Sequence, residues 1–227
     1  MKKLVLFASM FVLAIGAMAQ TIKEKPELKG ESSESLAAVR LANDLLRYGY
    51  ANKSTLALID ALQIFSENPT QPLNTTREGS EVDESKTDGK KAKVSFDYDT
   101  VLADAKKFAD GDENLLALID NIDAEAKGAQ RGAVNGPSRH YDAVNGNSTD
   151  TYQISFIANV LAEILVSGDG DTDLDLYVYD SNGNLIASDT DYTDDCYVCW
   201  VPAWTGRFIV KIVNRGPVYN NYVILTN

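Results

Sequence analysis

A single histidine, His140, and two cysteines, Cys196 and Cys199, leave little material for the commonest catalytic and metal-binding chemistries. Structural zinc takes about four Cys or His ligands, one more than the chain contains. Serine or cysteine hydrolysis needs a histidine base beside a nucleophile, but His140 lies next to Arg139 in a Gly/Asn-rich stretch with no nucleophile motif, so it reads as a solvated loop residue. Paired carboxylates for glycoside hydrolysis need a buried acid of raised pKa, and no segment offers a recognisable one. Two cysteines also exclude a disulfide scaffold, so the fold must rest on its core. A redox CxxC works at a helix N-terminus, whereas Cys196-Tyr197-Val198-Cys199 sits in a predicted strand, where positions i and i+3 point to opposite faces. Oxidising surroundings outside the cytoplasm keep a strand-end Cys196–Cys199 disulfide as the alternative.

Positive charge is scarce as well. There are 21 basic and 33 acidic residues, a net charge of −12, which argues against nucleic acid and anionic membranes as partners. After the first residues no apolar run approaches the ~18 residues of a transmembrane helix, so no membrane span is expected.

The N-terminus carries a specific signal. "MKKLVLFASMFVLAIGAMA", residues 1–19, has two lysines, an apolar run from Leu4 to Ile15 and a small-x-small triplet, Ala17-Met18-Ala19, before Gln20. This is the pattern of a cleavable signal peptide. Removing Lys2 and Lys3 with it takes the net charge from −12 to −14. The protein is expected to be exported, periplasmic or secreted.

Helical spacing predicts a hairpin of two helices over residues 30–68, with Leu36, Val39, Ala42 and Leu46 on one stripe and Ser54 as an N-cap for the second helix. Residues 69–93 have almost no large apolar side chain and read as a disordered linker containing the sequon Asn74-Thr75-Thr76. A second hairpin is predicted over 94–129, broken at "DGDE". "LALID" occurs at Leu56–Asp60 and again at Leu116–Asp120, either a repeated helical unit or a coincidence between Leu/Ala-rich helices. The four amphipathic helices suit a small bundle. Residues 130–149 are rich in Gly, Asn and Ser and read as a second linker. From 150 to 227 the period changes to two, and about seven short strands predict an antiparallel β-sandwich, giving an α+β chain in two parts.

Seven aspartates crowd the stretch "GDGDTDLDLYVYDSNGNLIASDTD", residues 168–191, without a lysine or arginine among them. Asp180-Ser181-Asn182-Gly183 suits a type I turn. Extrapolating the pairing from that turn sets Asp175 opposite Asp189 and Asp173 opposite Asp191. Like charges across a strand pair are destabilising, and a hard cation would reverse the sign, since calcium takes about six to eight oxygens. Asp173, Asp175, Asp189 and Asp191 are therefore candidate calcium ligands. The stretch is no EF-hand, because counting from Asp169 puts Leu174 where the loop needs glycine. The alternative is that these carboxylates accept backbone N–H bonds near turns. Trp200 and Trp204, with Tyr197, Tyr219 and Tyr222, are candidates for a ligand platform or for core.

"DTDLDLYVYDSNGNLIAS", then a Trp/Pro-containing strand, "TGRFIVKIVN" and "NYVILTN" resemble the bacterial pre-peptidase C-terminal domain. Asp173-Leu174-Asp175-Leu176 with Asp180, Gly183 and Gly206 carry the likeness, which covers residues 150–227. No peptidase precedes it here. The resemblance implies a jelly-roll-like sandwich attached to exported bacterial proteins, binding substrate polymers in some cases and calcium in some relatives, and it does not imply catalysis. The expected function is thus a non-catalytic binding or accessory protein with a polymer or protein ligand. The alternatives are a hydrolase with its site in the helical half and a structural envelope protein.

Overall fold

The computed structural model describes residues 33–83, 94–130 and 136–227. The expected signal peptide lies outside the described residues. The chain is α+β and is built in three layers, with four helices on one face of a mixed sheet and an antiparallel sheet on the other.

Helices α1 (Glu34–Asn52) and α2 (Thr55–Glu67) form the first hairpin. Lys53 turns the chain in the left-handed conformation, and the Ser54 hydroxyl accepts from Ala57 N–H at 3.4 Å. The two helices close tightly at Gly49, where a Cβ would lie 2.6 Å from a Leu58 methyl. Helices α3 (Tyr98–Phe108) and α4 (Glu113–Gln130) form the second hairpin. Asp97 caps α3 through Thr100 N–H at 2.9 Å, and Asp112 accepts from Asn114 N–H at the start of α4. The two "LALID" copies fall on α2 and α4 but do not share an environment. Leu58 is 0% exposed and its counterpart Leu118 is 42% exposed, so the pentapeptide does not mark one repeated packing unit.

The mixed sheet runs β1 (Gln71–Pro72), β3 (Ser138–Val144), β10 (Asn220–Thr226), β5 (Ala162–Gly168), β8 (Asp195–Trp200), with β1 parallel to β3. The second sheet runs β2 (Thr76–Glu78), β4 (Thr149–Phe156), β9 (Gly206–Asn214), β6 (Leu174–Tyr179), β7 (Leu185–Asp189). Between the sheets pack Tyr152, Ile154, Leu176, Val210, Ile224 and Val166, among others. On the opposite face of the mixed sheet, Leu165, Val223 and Leu225 join Leu36, Leu46, Leu58 and Ile119 of the helices in a second core. A strand covered on both faces needs apolar residues at consecutive positions, which explains "YVIL" in β10 and "EILV" in β5. The bundle is therefore completed by the sheet.

Two expectations about linkers are corrected. Strands β1 and β2 lie within the stretch expected to be disordered, and its residues 84–93 fall outside the described residues. Strand β3 likewise lies within the expected second linker, so the sheets recruit segments ahead of residue 150. These pieces are short and polar, and backbone pairing to longer strands holds them where burial alone would not.

The strand-end disulfide weighed for Cys196 and Cys199 is also corrected, since the two are not bonded to one another. Strand β8 is regular here. Cys196, Val198 and Trp200 face the other sheet, while Tyr197 packs towards the helices, and Cys199 lies at the same strand parity as Tyr197.

Candidate functional site

The acidic hairpin forms with the expected turn: Gly183 N–H donates to Asp180 C=O at 3.1 Å, and the Asp180 carboxylate accepts from Asn182 and Asn184 N–H at 2.8 Å each. The expected cross-strand pairs do not form. Tyr179 is paired with Leu185 but Val178 with Ala187, so a bulge consumes one residue and sets Leu176, not Asp175, opposite Asp189. A one-residue slip moves a side chain to the other face.

Each of the four aspartates finds its own surroundings. Asp175 takes Arg215 Nε at 2.6 Å and the Tyr177 hydroxyl at 3.0 Å. Asp189 accepts from Tyr197 N–H at 2.9 Å, and Asp191 from Thr193 N–H at 2.9 Å. Partial burial and the neighbouring Asp175 and Asp191 raise the Asp173 pKa. Among the described residues no three His, Cys, Asp or Glu side chains form a group that could hold a metal ion, so these donors do not fit one calcium cage. The cation that answers an aspartate of the acidic stretch is Arg215, which serves Asp175. Just beyond the stretch, Arg47 of α1 reaches Asp195 and, at 3.5 Å, Asp194, together with Asp44 of its own helix, and donates to Gly168 C=O.

A second ionic cluster is buried at the sandwich end where β2, β3, β4 and β10 meet. Arg77 lies 3.1 Å from both Asp142 and Asp150. The Tyr222 hydroxyl donates to Asp150 at 2.7 Å, the Tyr152 hydroxyl to Asp142 at 3.0 Å, and the two hydroxyls touch at 2.5 Å. His140 is in β3, not in a loop, with Nε2 at 3.3 Å from Asp142 and its ring edge-on to Tyr152. Burial raises the Asp150 pKa against the pull of Tyr222 and Arg77. Asp142 is driven up by burial but is held below the usual range by His140, the Ala143 N–H and Arg77. Asp150 is the buried acid that sequence patterns did not reveal. At 1% exposure, and tied to Arg77 and Tyr222, it faces no substrate. The cluster fastens β2 to the sandwich.

The aromatic platform divides. Trp200 is 6% exposed and packs edge-on to Phe156 at 4.8 Å, so it is core and cannot present a face. Tyr222 is buried, and the Tyr197 hydroxyl donates to Glu163 at 2.7 Å. Trp204 alone of the two tryptophans is open, 41% exposed and stacked flat on Phe208 at 5.5 Å.

A cavity lies elsewhere, at the seam where the end of α2, the start of α3 and strands β1 and β3 meet. Its volume is about 400 Å³, and Phe65, Pro69, Pro72, Tyr98, Arg139 and Tyr141 form much of its wall. The Arg139 guanidinium lies over two rings, 4.6 Å from the Phe65 centroid and 4.4 Å from that of Tyr141, and donates to Phe96 C=O. Its Nε is buried without a hydrogen-bond partner among the described residues, and burial lowers its pKa. Tyr141 and Tyr98 are each pushed up to about 12, chiefly by burial. Ser66, Asn68, Gln71, Asp97 and His140 also line it, so aromatic and proline surface alternates with polar groups that could orient a ligand. Sequence reading missed it because its residues come from four separated segments. The one available signal was an arginine in an otherwise uncharged triplet, Ser138-Arg139-His140.

Comparison with protein-family models and with curated proteins finds no match. Among solved structures the chain is similar to the pre-peptidase C-terminal domain of a collagenase from Bacillus anthracis, at 12% identity over 40% of this chain and 88% of that one, with a TM-score of 0.33. It is also similar to PliG of Aeromonas hydrophila, a periplasmic inhibitor of g-type lysozyme, at 12% identity over 40% and 84% of the chains and a TM-score of 0.31. The mitogen of Yersinia pseudotuberculosis matches at 14% identity over 41% and 86%, with a TM-score of 0.31.

Proposed function

We propose that this is an exported, non-catalytic binding or accessory protein, with a sandwich of the pre-peptidase C-terminal type, that receives a protein or polymer ligand at the seam cavity. The leader-like residues 1–19 support export, and the Asp173-Leu174-Asp175-Leu176 segment with its Asn-Gly turn and Gly206 supports the family. The observation that carries the binding site is the Arg139 cavity, where a partly buried guanidinium packed on two aromatic rings shares the lining with two prolines.

The test is ligand mapping by NMR on isotope-labelled protein against panels of peptides and oligosaccharides. Binders are expected to shift Phe65, Tyr98 and Tyr141, and Tyr141→Ala to weaken them. Binders that shift only the loop around Trp204, or none at all, would rule out the seam as the site.

A further inference from the structure

Four arginines with strong surroundings can be compared. Arg47, Arg77 and Arg215 each meet a carboxylate within ion-pair distance. Arg139 does not, among the described residues, although the protein contains 33 acidic side chains. An unpaired buried charge is costly, and natural proteins rarely keep one without a use. Two rings lie against the guanidinium, with centroids 4.6 and 4.4 Å from its carbon, and one terminal nitrogen is engaged with Phe96 C=O. The group is thereby held at the cavity wall, where its planar fork of donors suits a carboxylate.

The cavity also limits the charge that it can accept. Asp97 lines it, already committed to Thr100 N–H at 2.9 Å and Thr100 Oγ1 at 2.7 Å. Asp97 and Arg139 together are neutral, so one added negative charge is tolerated better than the two of a phosphate monoester. The prolines and aromatic rings favour an apolar body behind the anionic group.

Resting on the seam as the binding site, we infer that its ligand is a carboxylate on an apolar body, supplied either by a free peptide C-terminus or by a small aromatic acid, with Arg139 as the anion-binding residue. Capture of a C-terminal carboxylate is a known mode of peptide recognition, and it matches a cavity with room for only a residue or two.

Calorimetric titration with NMR mapping tests this on the whole protein. The probes are phenylacetate against phenylacetamide, the peptide Ala-Ala-Pro-Phe with a free against an amidated C-terminus, and inorganic phosphate. Each acid is expected to bind at the seam at least about tenfold tighter than its amide, and the stronger of the two acids identifies the source. Arg139→Gln is expected to abolish the preference and to melt no lower than wild type, because it relieves a buried charge. Asp97→Asn, which can still cap α3, is expected to tighten the acids. Amides equal to acids at the seam would overturn the carboxylate assignment and leave the seam standing as a binding site. A preference for phosphate, or acids that shift no seam residue, would also overturn it.

Discussion

Arg77 holds two carboxylates apart from one another's charge, and removing it has consequences that differ with pH. Arg77→Ala leaves Asp142 and Asp150 facing each other in a buried site, so a loss of about 3 kcal/mol is expected in denaturant unfolding at neutral pH. In the wild type, burial raises Asp150 and Asp194. The fold therefore takes up those protons at a higher pH than the unfolded chain does, and stability should rise as pH falls through their folded pKa values towards the ordinary carboxylate range. Asp142 works in the opposite sense: its contribution is present above the unfolded pKa and lost as pH falls through its depressed folded value. Thermal melts across acidic pH should show a shallow maximum, and Asp150→Asn should remove part of the rise. Gly168 offers a second point of attack. A Cβ there would lie 2.7 Å from the Asp194 Cβ and 2.6 Å from the Asn220 carboxamide oxygen, so Gly168→Ala should cost about 1–3 kcal/mol by chemical unfolding. The turn at Asp180 was legible from its residue types. The partners of the aspartates were not, because Arg215 lies 40 residues beyond Asp175 and nothing local ties the two together.

At the level of elements, Arg47 is the main ionic link between α1 and the sandwich. Arg47→Ala should cost about 3 kcal/mol and should speed amide exchange in α1 more than in β4 or β9, measured by hydrogen–deuterium exchange. Uniform exchange throughout would mean that the helical layer and the sandwich open only together. The four helices were legible because a 3.6-residue apolar stripe needs only local sequence. Strands β4, β8 and β9 were legible for the same reason at a period of two. Strands β1 and β2 are two and three residues long, too short for any period. Strand β3 carries arginine and histidine on half-buried positions, which reads as a loop. The hairpin register failed at one bulged residue, and with it went the facing pairs of aspartates that had suggested an ion. The apolar runs "ILV" in β5 and "YVIL" in β10 do not alternate, and such continuous apolar character implies cover on both faces.

For the whole molecule, the distribution of charge decides what ions and redox conditions can do. With Asp175, Asp189 and Asp191 each holding protein donors, calcium is expected to shift Tm no more than magnesium or EDTA does. With Cys196 buried and its thiol pKa raised chiefly by burial, intact mass should be the same with and without reductant. Fractionation of cells expressing the full sequence should find a chain beginning at Gln20 outside the cytoplasm; full-length protein retained in the cytoplasm would remove the export reading. One further consequence follows from β10. It is the last of the described strands in chain order, yet it stands in the middle of the middle layer, giving Val223 and Leu225 to the helices and Tyr222 and Ile224 to the opposite sheet. Both hydrophobic interiors therefore depend on one strand that follows all the other described elements in sequence, and a substitution that displaced it would open the two cores at once.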